Sequence, residues 1–286
     1  MGILGPAGTH SEAAALYLNR QLPEPRRLVI YPDIYDVLQG VMEHEVGEAL
    51  VPVENSLEGA INVTLDELAR STTLAVEREL IWPVHNLLMA KCQPQQVRRI
   101  YSHTQPIAQC RAFLETRYPE AEVIKVASTA RAAEIVGELP ATDGAAAICT
   151  ERGGALNGLH VLASDVQDNM ANSTRFYQLR LRQPQPLHRS SEPPDRELII
   201  CQIAGQKAGA LCEVLAEFAK RNVNMTRIES RPARTELGEY IFFFDLECEP
   251  GRERIREDAI AAVARRCIWL KNLGAFPVLT AMGDRV

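Results

Sequence analysis

The chain has 286 residues, a formal charge of −6 at pH 7, and 24% charged and 46% hydrophobic residues. That length predicts about two ordinary domains with sizeable cores, and the charged and apolar fractions exclude a largely disordered or low-complexity protein. The negative balance, with no basic interval standing out, argues against a nucleic-acid partner.

The opening stretch, MGILGPAGTHSE, has neither a cationic leader nor a long apolar core, so it does not read as a secretory signal. Gly5 and Gly8 form a turn there, and Thr9 or Ser11 caps a following helix whose free backbone N–H groups attract anions. An ordinary capped helix accounts for the stretch equally well. Up to residue 182, β-rich runs (RRLVIY, EALVPVEN, RRIYSH, AEVIKVA, GAAAICT) alternate with helical patterns (DIYDVLQGVMEHE, IAQCRAFLETRY, TARAAEIVGEL). Strand and helix in turn predict parallel sheets with helices on both faces. The strand-like stretch LAVERELIWPVHNLLMA separates two such clusters, and Pro83, His85 and Asn86 interrupt it too soon for it to span a bilayer. The expectation is an α/β module of two lobes, approximately residues 1–80 with 165–182 and residues 81–164. Its ligand would sit in the cleft between them, beyond the strand ends.

Polar residues gather at these strand ends. VPVENSLEGA strings Glu54, Asn55 and Ser56 into a turn closed by Gly59, and SHTQPIAQC puts Ser102 and His103 at a strand end with Gln109 a turn into the next helix. His103 reads more readily as a satisfied structural histidine than as an acid. NSTRFYQLRL, which would return to the first lobe, sets Asn172, Thr174, Arg175 and Phe176 together. An arginine opening a core strand needs an anionic partner, because Arg is rarely buried without one. No Ser-x-x-x-Lys, G-x-S-x-G or P-loop pattern occurs, so covalent acyl transfer and nucleotide hydrolysis have no support. Seven scattered cysteines without C-x-x-C predict reduced thiols, and six histidines without i, i+4 pairing predict no metal.

Residues 183–197, QPQPLHRSSEPPDRE, carry four prolines and no periodicity, which is linker chemistry. Residues 198–286 then read as β-α-β-β-α-β, a ferredoxin-like unit closed by AFPVLT, with Leu211, Val214, Leu215 and Phe218 on one helical face. The linker predicts two separate cores, so a chain ending near Gln183 is expected to fold and stay active.

GPAGTHSE, VPVENSLEG, SHTQPIAQC, NSTRF, then GALCEVLAEF, NMTRIESRP and GEYIFFFDLE stand in the order found in prephenate dehydratases with a C-terminal ACT regulatory domain. The chain resembles that family over essentially its whole length. The resemblance implies a two-lobed catalytic module like a type 2 periplasmic binding protein, converting prephenate to phenylpyruvate, water and CO2 without a cofactor. It nominates Thr174 as hydrogen-bond donor to the departing hydroxyl, with Glu54 as an acid if burial raises its pKa. Arg175 would hold the pyruvyl carboxylate bidentately, and Asn55, Ser102 and Gln109 would orient the substrate beside Phe176, Thr9, Ser11, Ser56 and Asn172. Feedback inhibition by phenylalanine is implied at ACT–ACT interfaces, through Gly209, Ala210, Leu211, Asn224, Glu229, Ser230, Arg231 and Pro232. With no secretory signal and no bilayer-length apolar run the protein is expected to be cytoplasmic and free of membrane, and the resemblance implies a dimer or tetramer. His10 stands where the family usually has Phe, and Thr104 where it often has Pro; neither touches the signature polar residues. No chorismate mutase segment precedes Gly5, so a monofunctional enzyme is expected. The rival readings are an arogenate dehydratase, a solute-binding protein without chemistry, and a non-catalytic amino-acid sensor.

Overall fold

The structure is a computed structural model that describes residues 1–182, 192–204, 207–234 and 239–281. Most of the expected linker, residues 183–191, therefore lies outside the described residues. The chain opens with β1 (Gly2–Leu4), α1 (His10–Gln21), β2 (Val29–Tyr31), α2 (Ile34–Met42), β3 (Glu48–Asn55), β4 (Gly59–Ala60), α3 (Asn62–Arg70) and β5 (Leu74–Pro83). The second lobe contains β6 (Leu87–Ala90), β7 (Arg99–Ser102), α4 (Thr104–Gln109), α5 (Arg111–Arg117), β8 (Glu122–Lys125), α6 (Thr129–Glu138), β9 (Ala145–Cys149), α7 (Glu151–Leu156) and β10 (His160–Ala163). The chain then returns through β11 (Ser173–Leu181). A third unit follows as β12 (Arg196–Ile203), α8 (Ala210–Lys220), β13 (Met225–Pro232), β14 (Tyr240–Glu247), α9 (Glu253–Ala264) and β15 (Trp269–Phe276), and β16 (Val278–Thr280) ends the described structure.

The fold is a two-lobed, periplasmic-binding-protein-like α/β module with a βαββαβ unit. The second lobe is a five-stranded sheet in the order β10-β6-β9-β7-β8, and the third unit a four-stranded sheet in the order β13-β14-β12-β15. The first-lobe sheet runs β16-β5-β11-β3-β1-β2, with β4 added beside β3. The lobes are mixed rather than purely parallel: β11 runs antiparallel to both β3 and β5, and β6 antiparallel to β9 and β10. A returning strand has no crossover helix, so it enters the sheet in the opposite sense.

Two departures from the sequence reading concern the third unit. AFPVLT is not one strand. Pro277 cannot donate to a ladder; the chain changes sheets there, and β16 pairs in parallel with β5 of the first lobe. The cores are also not separate. Along β12, Ile199 and Cys201 pack against α8 and α9, while Leu198 and Ile200 face the other way into a cluster with Val51, Val53, Leu65 and Tyr177 of the first lobe. The run LIICQI is apolar at successive positions because both faces of its strand are covered. Tyr177 and Phe276 meet edge to face across this junction, ring centroids 5.6 Å apart.

Candidate active site

A cleft of about 370 Å³ opens between the lobes, within the roughly 300–1,000 Å³ usual for small-molecule sites. Three helix starts face it: Thr9, His10 and Ser11 at α1, His103 and Gln105 at α4, and Ser128 and Thr129 at α6. The local sequence explains these starts. The Thr9 hydroxyl accepts from the Glu12 N–H at 3.4 Å and the Ser128 hydroxyl from the Arg131 N–H at 3.0 Å, each an N-cap that ends a strand-to-helix loop. Gly8, at φ +82°, makes the turn before α1, and its carbonyl accepts from the Thr150 hydroxyl of the second lobe at 2.7 Å. Beside it Arg152 donates twice to the buried Glu12 carboxylate, at 2.9 and 3.2 Å. These contacts join the lobes behind the cleft.

The other wall is a row of amides ending in a hydroxyl. The Asn55 amide nitrogen donates to Thr174 Oγ1 at 3.0 Å and to Asn172 Oδ1 at 2.8 Å, while Asn172 donates to Gln109 Oε1 at 3.2 Å. Asn55 cannot be turned over, because its oxygen already accepts from the Leu57 and Glu58 N–H groups at 3.0 and 3.1 Å. A hydroxyl carries one donor and two acceptor positions. With its oxygen receiving from Asn55, Thr174 keeps its proton to donate into the cleft.

A displaced register in β3 makes this possible. Leu50 packs on the α1 side of the sheet, and Ala49, Val51 and Val53 on the side of the third unit. Strict alternation would continue with Glu54 on the α1 side, where the cleft opens, and Asn55 behind. Opposite Arg175 and Phe176, however, the register skips from Glu54 to Pro52. Such a bulge inverts the faces of the residues beyond it, and a proline is tolerated there because a ladder bond is already missing. Thr64 supports it by donating to the Pro52 carbonyl at 2.6 Å.

The cleft thus gathers Thr9, Ser11, Asn55, Gln109, Asn172 and Thr174 from the residues named on sequence grounds. It does not gather the rest. Ser102 is buried and donates to the Ile148 carbonyl at 2.7 Å. Ser56 accepts from the Ser173 N–H at 3.0 Å and donates to the Ala171 carbonyl at 3.2 Å, pinning the entry of β11. Phe176 is core beside α1, on the same face as Thr174 but deeper.

Glu54 and Arg175 require correction. Both face the third unit. Arg175 lies 2.5 Å from Asp245, 3.2 Å from Glu79 and 3.7 Å from Glu54, and Glu54 in turn lies 3.0 Å from Arg227. With Arg196 at 2.7 Å from Glu79, three guanidinium groups and three carboxylates share one interdomain cluster. Burial works against the charge of Arg175, but Glu79, Asp245 and Glu54 outweigh it and raise its pKa. Burial likewise raises that of Glu79, against the pull of Arg175 and Arg196. The anion that lets Arg175 open a strand is the protein's own, and among the described residues no Lys or Arg lines the cleft.

The residues named for an effector are divided. Strand register puts Pro232 and Ile203 both opposite Tyr240, so the ends of β12 and β13 lie with the start of α8 at one end of the third sheet. That end holds Gly209, Ala210, Leu211, Arg231 and Pro232, with Glu229 and Ser230 leading into it. Asn224 is at the opposite end, where it donates to Glu247 at 2.7 Å. Arg231 is held by Asp66 and Asn62 of α3. Gly209 sits at φ +80°, so any side chain there strains the backbone before it fills a pocket.

Sequence reasoning missed four polar lining positions: Asn86, Gln105, Ser128 and Thr129. A-S-T-A-R before an amphipathic run was a readable cap signal for the last two. His10 was noticed only as a departure, and Asn86 only as an interruption in an apolar run.

A cleft between two α/β lobes, floored by neutral donors and backed by a ferredoxin-like sheet, defines the class: enzymes or receptors for small anions with a fused regulatory unit. Residues 1–184 match the family described as prephenate dehydratase, and residues 199–263 match the ACT domain. The chain belongs to the prephenate dehydratase family. It is 38% identical over 274 residues to the prephenate dehydratase of Amycolatopsis methanolica, covering 95% of this chain and 86% of that one. The prephenate dehydratase of Lactococcus lactis subsp. cremoris is 36% identical over 245 residues, 85% of each chain. Among solved structures, the Arthrobacter aurescens prephenate dehydratase in complex with L-Phe superimposes with a TM-score of 0.83 at 32% identity, over 96% of this chain and 89% of that one. GqqA, described as a quorum-quenching acylase, gives 0.82 at 25% identity over 97% of each chain. Fold alone therefore does not decide chemistry here; the site must.

Proposed function

We infer that the chain converts prephenate to phenylpyruvate, CO2 and water and is inhibited by phenylalanine through its ACT domain. The ring carboxylate leaves as CO2, its bonding pair enters the ring, and the C–O bond to the ring hydroxyl breaks with its pair on oxygen. One proton then makes water. The barrier lies in expelling that oxygen, and the observation that carries the reading is the Thr174 hydroxyl, whose oxygen accepts from Asn55 and whose proton is left to donate to the leaving group. Among the described residues, the titratable ones that line the cleft are His10 and His103. Burial lowers the pKa of His10 to about 4, so it is neutral near pH 7. His103 faces the same space from the start of α4 and is the lining side chain we assign to pass the proton to the leaving oxygen. Carboxylate binding falls to helix starts and neutral donors rather than to an arginine, which suits a reaction in which one carboxylate must become neutral CO2. Salt-bridging it would stabilise the ground state.

Phenylalanine control has a short path: Asp245 and Arg227 of the ACT sheet hold Arg175 and Glu54, the strand neighbours of Thr174 and Asn55. The effector residues of one chain lie at two ends of its ACT sheet, which supports completion of the pocket by a second copy and hence a dimer or tetramer. Among the described residues no helix is long and apolar enough to cross a membrane, and we place the enzyme in the cytoplasm. Arogenate, the amino counterpart, is the alternative substrate. Phenylpyruvate formation from prephenate, measured with and without phenylalanine, tests the reading. Thr174→Ala is expected to lower kcat by about 10²-fold or more with KM nearly unchanged, and normal turnover in that variant would sink the assignment.

A further inference from the structure

The two groups assigned to the departing oxygen belong to different lobes. Thr174 lines the cleft from β11 of the first lobe and His103 from the start of α4 in the second. How the lobes meet therefore decides whether both reach one oxygen, and a misplacement of about 1 Å can cost about 10²-fold in rate. Paired lobes of this architecture commonly swing about a hinge. The two chain crossings, residues 84–86 and 164–172, would by themselves allow that swing.

A third connection opposes it, and it centres on one residue. Gly8 stands just before Thr9, which caps α1 and lines the cleft. Both backbone polar groups of Gly8 are taken: the N–H donates to Glu12 Oε2 at 2.6 Å, and the carbonyl accepts from the Thr150 hydroxyl of the second lobe at 2.7 Å. The same Thr150 oxygen accepts from the Gly153 N–H at 2.9 Å and so caps α7. Glu12 is tied to α7 as well, by Arg152 at 2.9 and 3.2 Å. Its carboxylate is buried, where water and salt screen a charge-assisted bond little. The backbones also touch. A Cβ on Gly8 would stand 2.8 Å from the Gly153 Cα, and one on Gly153 2.8 Å from the Gly8 carbonyl oxygen. Opening the cleft at this side thus breaks the Thr150 bond and both Arg152 bonds together.

We propose that Glu12, Thr150, Arg152 and Gly153 are positioning residues, which through Gly8 brace the lobes, already in the ligand-free protein, at the separation where Thr174 and His103 meet the same leaving oxygen. The effect on rate rests on the dehydratase reading; the brace itself does not. Donors that hold the substrate from one lobe alone are little disturbed by a change in separation, whereas a transfer that needs both lobes is. Loosening the brace therefore lowers kcat rather than raising KM.

Two variants are assayed with prephenate beside the wild type. Glu12→Gln combined with Arg152→Met removes the ion pair, keeps an acceptor for the Gly8 N–H and leaves no buried charge alone; Gly153→Ala forces the two loops apart. Each is expected to lower kcat about 10- to 100-fold with KM within about threefold. Arg152→Lys, which keeps one charged donor to Glu12, is expected to fall between the double variant and wild type. Wild-type kcat in both folded variants overturns the proposal, and so does a loss confined to KM. No turnover by wild type overturns the dehydratase reading and the effect on rate, and hydrogen exchange then reads the brace alone. The same measurement on the wild-type protein decides if the variants do not fold. Without ligand, the Gly8 N–H is expected to be protected to within about tenfold of the central-strand amides of β3 and β9. Exchange at the rate of an open loop, slowed only when phenylpyruvate is added, marks a hinged cleft and overturns the brace.

Discussion

At the scale of single residues, the direction of one hydrogen bond matters more than its presence. Asn55 donates to Thr174; an aspartate there would accept from it and draw the hydroxyl proton away from the cleft. Asn55→Asp is therefore expected to lower kcat at least about tenfold while leaving KM within a few-fold, and steady-state kinetics that find kcat intact would contradict the direction assigned here. His10 has a consequence for stability as well. An unfolded histidine takes up its proton near pH 6.5, the folded one only near pH 4. Between those values the unfolded chain binds more protons, so stability falls as the pH drops from about 6.5 towards 4. Thermal melts across that range should show a shallower acid slope in His10→Phe than in the wild type; equal slopes would mean that other groups carry the acid sensitivity. Of this site, Thr174, Asn55 and Asn172 were legible in the sequence because each lies at a strand end within a polar cluster, and Gln109 because it stands in the helix just after one. Arg175 and Glu54 were misread because sequence adjacency does not say which face of a sheet a side chain takes.

That face is decided at the scale of the element. β11 alternates cleanly, with Phe176 turned to the α1 side and Tyr177 and Leu179 to the ACT side. β3 does not: its bulge exchanges the faces of Glu54 and Asn55, delivering an amide to the cleft and a carboxylate to the regulatory interface. Nothing in EALVPVEN announces this except Pro52, whose missing N–H is out of place in a central strand. Thr64 holds the distortion through the Pro52 carbonyl without lining the cleft. Thr64→Val should leave that buried carbonyl unpaired, destabilise the fold by about 1–3 kcal/mol, and lower kcat several-fold by loosening Asn55. A melting temperature and kcat both equal to wild type would show that the bulge supports itself. The strand and helix alternation of the lobes and the order of the ACT unit were readable from hydrophobic period alone, since those signals are local. The mixed strand directions were not, because the sense of a returning strand depends on the connection that precedes it.

For the whole molecule, the proline-rich stretch suggests two independent bodies, yet the first-lobe sheet and the ACT sheet share one apolar cluster and a six-charge ion network. Removing one partner of a buried ion pair typically costs about 3–5 kcal/mol, and a chain ending at residue 182 loses Asp245, Arg196 and Arg227 together with the cover over Val51, Val53 and Tyr177. Such a truncation is expected to give no cooperative melt and to lose at least about tenfold in activity, since a domain's net stability is only about 5–15 kcal/mol. A monomeric, fully active fragment would show that the lobes need nothing from the ACT unit. The strand β16 extends this dependence to the order of synthesis. It lies along β5, the flank of the catalytic sheet, but the ribosome makes it only after the entire ACT unit. Until then β5 presents an unpaired strand margin, the kind of surface that recruits other nascent chains. Assembly of this enzyme in the cell is thus set to wait until the ACT unit and β16 have been made, and ribosome-bound intermediates that precede that point should be the stage at which it most needs a chaperone.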